Sequence, residues 1–319
     1  MSPLDTLLNS QPFVVLDGGL ATELEARGAN LNHALWSAKL LTEDPELIYQ
    51  VHLDYFLAGA DIATTASYQA SFHGLRNHGY NETKACWVVK LSVGLAVRAR
   101  AEATKRQPHR QMLVAGSVGP YGAYLANGAE YRGNYTLPKD AFKYFHRPRI
   151  QALVDAGVDI LALETMPSFD EIVALVELLR EFPSMSAWVS CTVRDCHNLS
   201  DGTPLEKVAQ ALVGNRQIVA MGVNCIPEGD VTDTLKELRR HTDMNLLAYP
   251  NSGEVWNAGT KTWSGARNQG ERLRESVAQW RGAGARLIGG CCRLGVADIG
   301  IIRSCLEDEG AKSQSGPTE

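Results

Sequence analysis

The chain has 319 residues, 45% hydrophobic and 21% charged, with a formal net charge of −5. That length holds one large core or two medium ones, and a mildly acidic balance without a basic run excludes nucleic acid as the main partner. No apolar run approaches the roughly 18 residues a membrane helix needs, and the opening MSPLDTLLNSQPF lacks the segments of a secretory leader, so a cytoplasmic location is expected.

In chain order, residues 1–11 read as an N-terminal extension ahead of a first apolar run, FVVLD at 13–17. An amphipathic stretch, PELIYQVHLDYFLA, leads to DIATTA at 61–66. Further strands are predicted at MLVAGS (112–117), DILALE (159–164), AWVSCTV (187–193), QIVAMGVN (217–224), NLLAYPN (245–251) and RLIGGC (286–291). Helix-like stretches such as FDEIVALVELLREF separate them. The strand runs do not alternate apolar with polar, as expected for parallel strands covered on both faces. FLAGADIATTA, LVDAGVDILALE and WRGAGARLIGG repeat one pattern of helix end, glycine and buried strand, the glycine suiting the left-handed position just past a helix. Eight strands alternating with helices predict an α/β fold, a single-domain (β/α)8 TIM barrel over residues 12–306. The polar stretch 307–319 is expected to be a disordered tail. A doubly wound open sheet is the rival, but GAGARLIGG precedes its strand instead of opening a helix after it.

The last residues of the strands are polar or soft: Asp17, Thr65, Ser117, Glu164, Thr192, Asn224 with Cys225, Asn251, and Cys291 with Cys292. Barrel enzymes assemble their sites at that rim, so an enzyme is expected. The seven cysteines are odd in number, which favours reduced thiols over a disulfide framework. Cys225 follows strand six and Cys291–Cys292 follow strand eight, tips that stand roughly ten Å apart with one strand between them. Their loops can converge on one zinc ion, since a zinc–sulfur bond spans about 2.3 Å. Gly289 and Gly290 are expected to bend the backbone so that both vicinal thiols face inward.

Other readings compete. Cys225 alone would fit as a buried filler, Cys291–Cys292 could cycle as a vicinal disulfide in redox chemistry, and zinc could merely stabilise a binding barrel. Cys196 is a candidate fourth ligand, Cys191 lies inside strand five, and Cys86 and Cys305 are expected to pack. His33, His52, His73, His78, His109, His146, His197 and His241 fall in helices or loops and are expected mostly at the surface. Three thiolates form an open site of the catalytic kind. Its negative charge disfavours hydroxide formation, but it suits a substrate thiol bound as thiolate and attacking a cationic methyl donor.

LDGG, GVNC, LLAYPNSGE and GGCC, with AGSVGPYGAYLANGAEYRGNY, HRPRI and SDGTPL, closely resemble the homocysteine S-methyltransferases over residues 12–305. The similarity is to the single-domain bacterial and plant enzymes that use S-methylmethionine or S-adenosylmethionine. It implies a barrel with one zinc on Cys225, Cys291 and Cys292, small-molecule partners, and methyl transfer to L-homocysteine giving methionine. It also implies homocysteine contacts from Asp17, Glu164 and the PNSGE turn (Asn251, Ser252, Gly253, Glu254), with Asn224 beside them. The residues leave alternatives open: Glu164 could pair with an arginine such as Arg194, Asp17 could cap the helix near ATELEARG, and PNSGE could be a plain turn. Tyr68, Tyr121, Tyr124, Trp256 and Trp263 lie in loops above strands two, three and seven and are the aromatic candidates for a sulfonium donor. Thr165 stands where the betaine-using branch carries an aromatic, which argues against betaine. Cobalamin or folate use is not expected, because it needs domains that a chain of this length does not hold.

Overall fold

Each of the eight apolar runs becomes a parallel strand. A computed structural model describes residues 2–31, 33, 35–257 and 262–314. The strands are β1 (Val14–Val15), β2 (Ile62–Thr64), β3 (Leu113–Val118), β4 (Ile160–Met166), β5 (Ala187–Cys191), β6 (Ile218–Asn224), β7 (Asn245–Tyr249) and β8 (Ala285–Ile288). They pair in the order β1-β8-β7-β6-β5-β4-β3-β2, and a parallel bridge between Leu16 and Ile62 closes the ring. The fold is a single-domain (β/α)8 barrel, as the alternation of strand and helix predicts. Two short antiparallel hairpins stand outside it, Val193–Asp195 with Asn198–Leu199 and Val255–Asn257 with Thr262–Ser264.

Local chemistry explains the helix limits. The helix Pro45–Ala58 starts at Asp44, whose side chain accepts from Leu47 N, has proline in its first turn, and stops at Gly59. The glycines of the repeated phrase, Gly59, Gly157 and Gly284, have φ of 122°, 85° and 101°, conformations that L side chains rarely adopt. Each therefore turns the chain sharply from helix into buried strand.

The barrel interior is filled by Val14, Leu16, Ile62, Leu113, Ala115, Ile160, Ala162, Trp188, Ala220, Leu247 and Leu287, and Leu4, Leu7 and Leu8 join the same cluster from below. Those leucines belong to a helix, Pro3–Ser10, whose Ser2 and Asp5 form a reciprocal capping box. The segment read as an extension thus plugs the bottom of the barrel. Burying each leucine stabilises the fold by about 1.5–3 kcal/mol. Arg286 on β8 fastens the plug by donating to Leu8 O at 2.8 Å and Pro12 O at 3.1 Å. Asp61, 1% exposed, accepts from Gln11 Nε2 and Val15 N at 2.9 Å each and pairs with Arg110 and Arg303.

The helix Val296–Gln314 runs past residue 306 into the stretch expected to be a tail. No helix among the described residues is long and apolar enough to cross a membrane. Two histidines depart from the expected surface placement: His52 and His146 are fully buried. A barrel helix is flanked by two helices as well as the sheet, so positions beside its core-facing stripe are covered too.

Candidate metal centre and substrate pocket

Three sulfurs meet at the C-terminal rim. Cys291 Sγ lies 2.9 Å and Cys292 Sγ 3.7 Å from Cys225 Sγ, and all three lie within 4.8 Å of one another. Both separations exceed a disulfide bond of about 2.05 Å, and the seven cysteines are free. Cys225 reaches the cluster from β6 through a left-handed residue, φ 55°. The turn after β7 brackets both thiol loops: Asn251 N donates to Ile226 O at 3.0 Å, Cys291 N to Pro250 O at 2.8 Å, Cys292 N to Asn251 Oδ1 at 3.1 Å and Ser252 N to Cys292 O at 3.1 Å. Gly289 and Gly290 do not bend the chain as expected. A Cβ on Gly289 would stand 2.6 Å from Leu16 Cβ and one on Gly290 2.5 Å from Leu294 Cβ, so they serve close packing, while the left-handed turn falls on Arg293, φ 69°.

Three thiols are a donor set that suits zinc. Sulfurs on one tetrahedral zinc stand about 3.8 Å apart at a bond length of about 2.3 Å; the Cys225–Cys292 spacing of 3.7 Å matches this, and the Cys225–Cys291 spacing of 2.9 Å would have to widen around an ion. Hydrogen bonds from Cys225 and Cys291 hold the Cys292 thiol well below its ordinary range, whereas Cys291, bonded to Cys225 and Cys292 and buried, is held well above. A cation at the centre would displace the remaining protons. Cys196 lies in the hairpin after β5 and is not part of the cluster, and Cys86 and Cys305 lie in helices.

The thiols line a cavity of about 100 Å³ together with Asp17, Thr64, Ser117, Glu164 and Tyr249. Asp17 accepts from Thr64 N at 2.8 Å and from the Thr64 hydroxyl, and burial raises its carboxyl to about 8. Glu164 accepts from the hydroxyls of Ser117 and Tyr249, and burial raises it to about 7. Asp17 does not cap the helix Leu20–Ala26, which begins at Gly19 without a side-chain cap. Arg194 is 60% exposed beside Asp195 and does not pair with Glu164, on which the buried Arg149 acts through space instead.

Of the aromatic candidates, Tyr68 lines this cavity. Tyr121 does not; it packs against Tyr124, Tyr135, Phe142 and Phe145. Tyr124 faces a separate hollow with Leu35, Gln69 and Asn77. These two rings are absorbed by an aromatic cluster beneath the β3 loop. The side chains of Trp256 and Trp263 lie outside the described residues. Two neighbours of the site carry no strand-end signal and were not anticipated. Tyr131, 44% exposed, brings its hydroxyl within 3.5 Å of Cys225 Sγ. Glu130 beside it has a buried Oε2 without a hydrogen-bond partner among the described residues, and burial raises its carboxyl to about 7. Thr192, at the end of strand five, donates to Glu130 O at 2.8 Å and so fixes this segment from the rim.

The sequence profile of the homocysteine S-methyltransferase family matches residues 14–306. The chain belongs to that family. It is 51% identical over 304 residues to the homocysteine S-methyltransferase of Escherichia coli (strain K12), covering 95% of this chain and 98% of that one. It is 49% identical over 297 residues to homocysteine S-methyltransferase YbgG of Bacillus subtilis (strain 168), covering 92% and 94%. The metallated crystal form of the homocysteine methyltransferase MmuM from Escherichia coli superposes with a TM-score of 0.87 at 50% identity, covering 95% of this chain and 99% of that one.

Within this family member the residues matched to homocysteine contacts divide into two groups. Asp17 and Glu164 face the cavity with the thiols, and Asn224 borders it. Asn224 spends its amide on Thr165, donating to the Thr165 hydroxyl at 2.8 Å and accepting from Thr165 N at 2.7 Å. Asn251, Ser252, Gly253 and Glu254 do not line the cavity. They brace the thiol loops: Ser252 Oγ donates to Glu254 Oε2 at 2.9 Å, and Arg293 Nε donates to the same oxygen at 3.1 Å. The turn sits behind the cysteines because the bonds holding it run to their backbone, which leaves its own amides turned from the pocket.

Proposed function

We propose that the protein transfers a methyl group from a sulfonium donor, S-methylmethionine or S-adenosylmethionine, to the thiol of L-homocysteine, giving methionine. The observation that carries this reading is the convergence of three thiols on one point in the wall of a small cavity that two buried carboxyls also line. Zinc on Cys225, Cys291 and Cys292 would supply a positive centre that keeps the acceptor sulfur deprotonated at neutral pH. Crystallisation of the Escherichia coli relative in a metallated form supports that assignment.

The rest of the chemistry falls to the protein's own side chains. Asp17 and Glu164, buried and raised toward neutrality, receive the acceptor's ammonium group, which favours their charged forms. Ser117 and Tyr249 hold the Glu164 carboxyl toward the cavity, as Thr64 holds Asp17. Tyr68 and Tyr131, which line the cavity, offer the aromatic faces that a sulfonium requires, and Glu130, next to Tyr131 in the chain, places a carboxyl behind them. No proton moves during the transfer: the acceptor thiolate attacks the methyl carbon and the donor sulfur leaves neutral. Thr165, hydrogen-bonded to Asn224, puts no aromatic where betaine would need one.

Zinc content of the reduced protein and turnover with S-methylmethionine, S-adenosylmethionine and betaine in competition test the reading. Stoichiometric zinc, its loss in Cys292→Ala, and turnover of a sulfonium are expected. Zinc-free protein that is fully active, or Cys292→Ala with full zinc and activity, would sink it.

A further inference from the structure

A buried polar network lies behind the donor side of the pocket, on elements that do not touch the thiols. It starts in the helix Lys139–Asp155, where His146 and Arg149, three residues apart, share one face. Both are almost wholly buried, as is Glu171 in the first turn of the helix Phe169–Leu178. His146 Nε2 meets Glu171 Oε1 at 2.6 Å, and His146 Nδ1 meets Arg149 Nη2 at 3.0 Å. A guanidinium only donates, so Nδ1 is the acceptor and the ring proton sits on Nε2. His146 is therefore a neutral link that donates to Glu171 and steadies Arg149. Glu171 is further saturated by Tyr121 N at 2.6 Å and by the Tyr135 hydroxyl.

The free edge of the guanidinium points at two loops. Arg149 Nη1 donates to Tyr68 O at 2.8 Å and Nη2 to Gly119 O at 2.5 Å. These carbonyls belong to the loops after β2 and β3, which Arg149 ties together. The same loops touch directly: a Cβ on Gly119 would stand 2.7 Å from Tyr68 Cδ2 and 2.8 Å from Tyr68 O. Tyr68 is thus gripped at its carbonyl, pressed flat on Gly119, and hydrogen-bonded through its hydroxyl to Thr165. Of Tyr68, Tyr121 and Tyr124 it is the ring that lines the cavity, which Tyr131 from the β3 loop also borders.

We propose that Arg149 is a positioning residue for the methyl donor, acting through Tyr68. The inference rests on the donor side of the reading above. It assigns a role to a buried network that makes no hydrogen bond to the metal ligands, Asp17 or Glu164, although the Arg149 charge acts on Glu164 through space, so Gly119→Ala, which leaves that charge in place, separates the two effects. Two carbonyls and one imidazole nitrogen shared between Nη1 and Nη2 suit guanidinium, and a lysine ammonium reaches only part of that set.

The test uses the zinc-loaded enzyme with S-methylmethionine as the varied donor. Arg149→Met is expected to lower kcat/KM for the donor roughly tenfold through KM, with homocysteine KM and zinc content within about twofold of wild type. Arg149→Lys should recover part of the loss. The deciding readout is coupling: in a Tyr68→Ala background, Arg149→Met should cost less than about twofold. Gly119→Ala, which keeps every buried charge, should show the same donor signature and the same coupling, and it carries the test if Arg149→Met does not fold. Losses that multiply in the double variant, or an equal rise in homocysteine KM, would overturn the proposal. If wild type turns over no sulfonium, the donor reading fails by itself; the same coupling, measured with whichever donor the enzyme uses, then decides the role of Arg149.

Discussion

Asn224 grips Thr165 with both ends of its amide, accepting from the backbone at 2.7 Å and donating to the hydroxyl at 2.8 Å. The pair joins the tip of β6 to the tip of β4, and each partner adjoins a functional residue, Cys225 and Glu164. Thr165 and Cys225 are both left-handed, at φ 61° and 55°, a conformation that costs a β-branched residue dearly. The clamp holds that strain in place and so sets where a carboxyl and a thiol face each other.

Asn224→Ala should therefore release both tips at once. Loss of two buried hydrogen bonds costs about 1–3 kcal/mol for each group left unsatisfied. Homocysteine KM is expected to rise roughly tenfold through misplacement of Glu164. Steady-state kinetics and thermal melts of the variant check this; unchanged homocysteine KM would show that the clamp only stabilises.

The raised carboxyls make two pH dependences. Asp17 and Glu164 titrate at about 8 and about 7 in the folded protein, above the ordinary range near 4. Between those limits the native state holds more protons than the unfolded chain, so their contribution to stability falls as pH rises, and it levels off only above the folded values. Melting temperature without substrate should decline from pH 5 to 8 through this effect, with a shallower decline in Asp17→Asn. Acceptor binding runs the other way. An ammonium needs charged carboxyls, so homocysteine KM should fall as pH rises from 6 to 8, and Glu164→Gln should raise KM by about ten- to a hundredfold, as expected for a lost charge-assisted bond of about 1.5–3 kcal/mol.

Metal removal separates catalysis from folding. The interior cluster runs from Leu4 and Leu7 at the bottom of the barrel up to Tyr249 beside the cavity and contains none of the three thiols, so chelation should abolish turnover and leave far-ultraviolet circular dichroism unchanged at 25 °C. Gross unfolding on chelation would instead favour a barrel built around its ion.

At the bottom of the barrel, Leu7→Ala should cost about 2–5 kcal/mol as a large-to-small core substitution. Asp61→Ala, which strands the Arg110 and Arg303 partners, should cost about 3–5 kcal/mol. In both, donor and acceptor KM should stay at wild-type values in the protein that remains folded, measured below the midpoint of urea unfolding.

All eight strands were legible because unalternated apolar runs bounded by glycine are written into consecutive residues. The thiol triad and the acids were legible for a related reason: a strand tip is a position that a linear reading can locate. Tyr131 and Glu130 were not, since they sit in a short 3-10 turn, Ala129–Tyr131, within the loop after β3, and only its folding back over the rim brings them to Cys225. The PNSGE turn carries the same residues whether it holds a substrate carboxylate or its neighbours' backbone. His146 and Arg149 were quoted as part of HRPRI, but their work depends on a partner in the next helix. The plug helix did announce itself in Ser2, Asp5 and the spacing of Leu4, Leu7 and Leu8, a signal overshadowed by the stronger run at 13–17.

Arg286 bonds to Leu8 O across 278 positions of chain, which ties a helix made ahead of every strand to the final wall of the barrel. The newborn plug helix has no well to fill until Ala285–Ile288 has emerged, and its leucines stay uncovered while the eight strands are made. Such long-separation contacts slow folding and invite association in the meantime. Bulky fusions at the front of the chain should therefore depress soluble yield far more than equal fusions at the back.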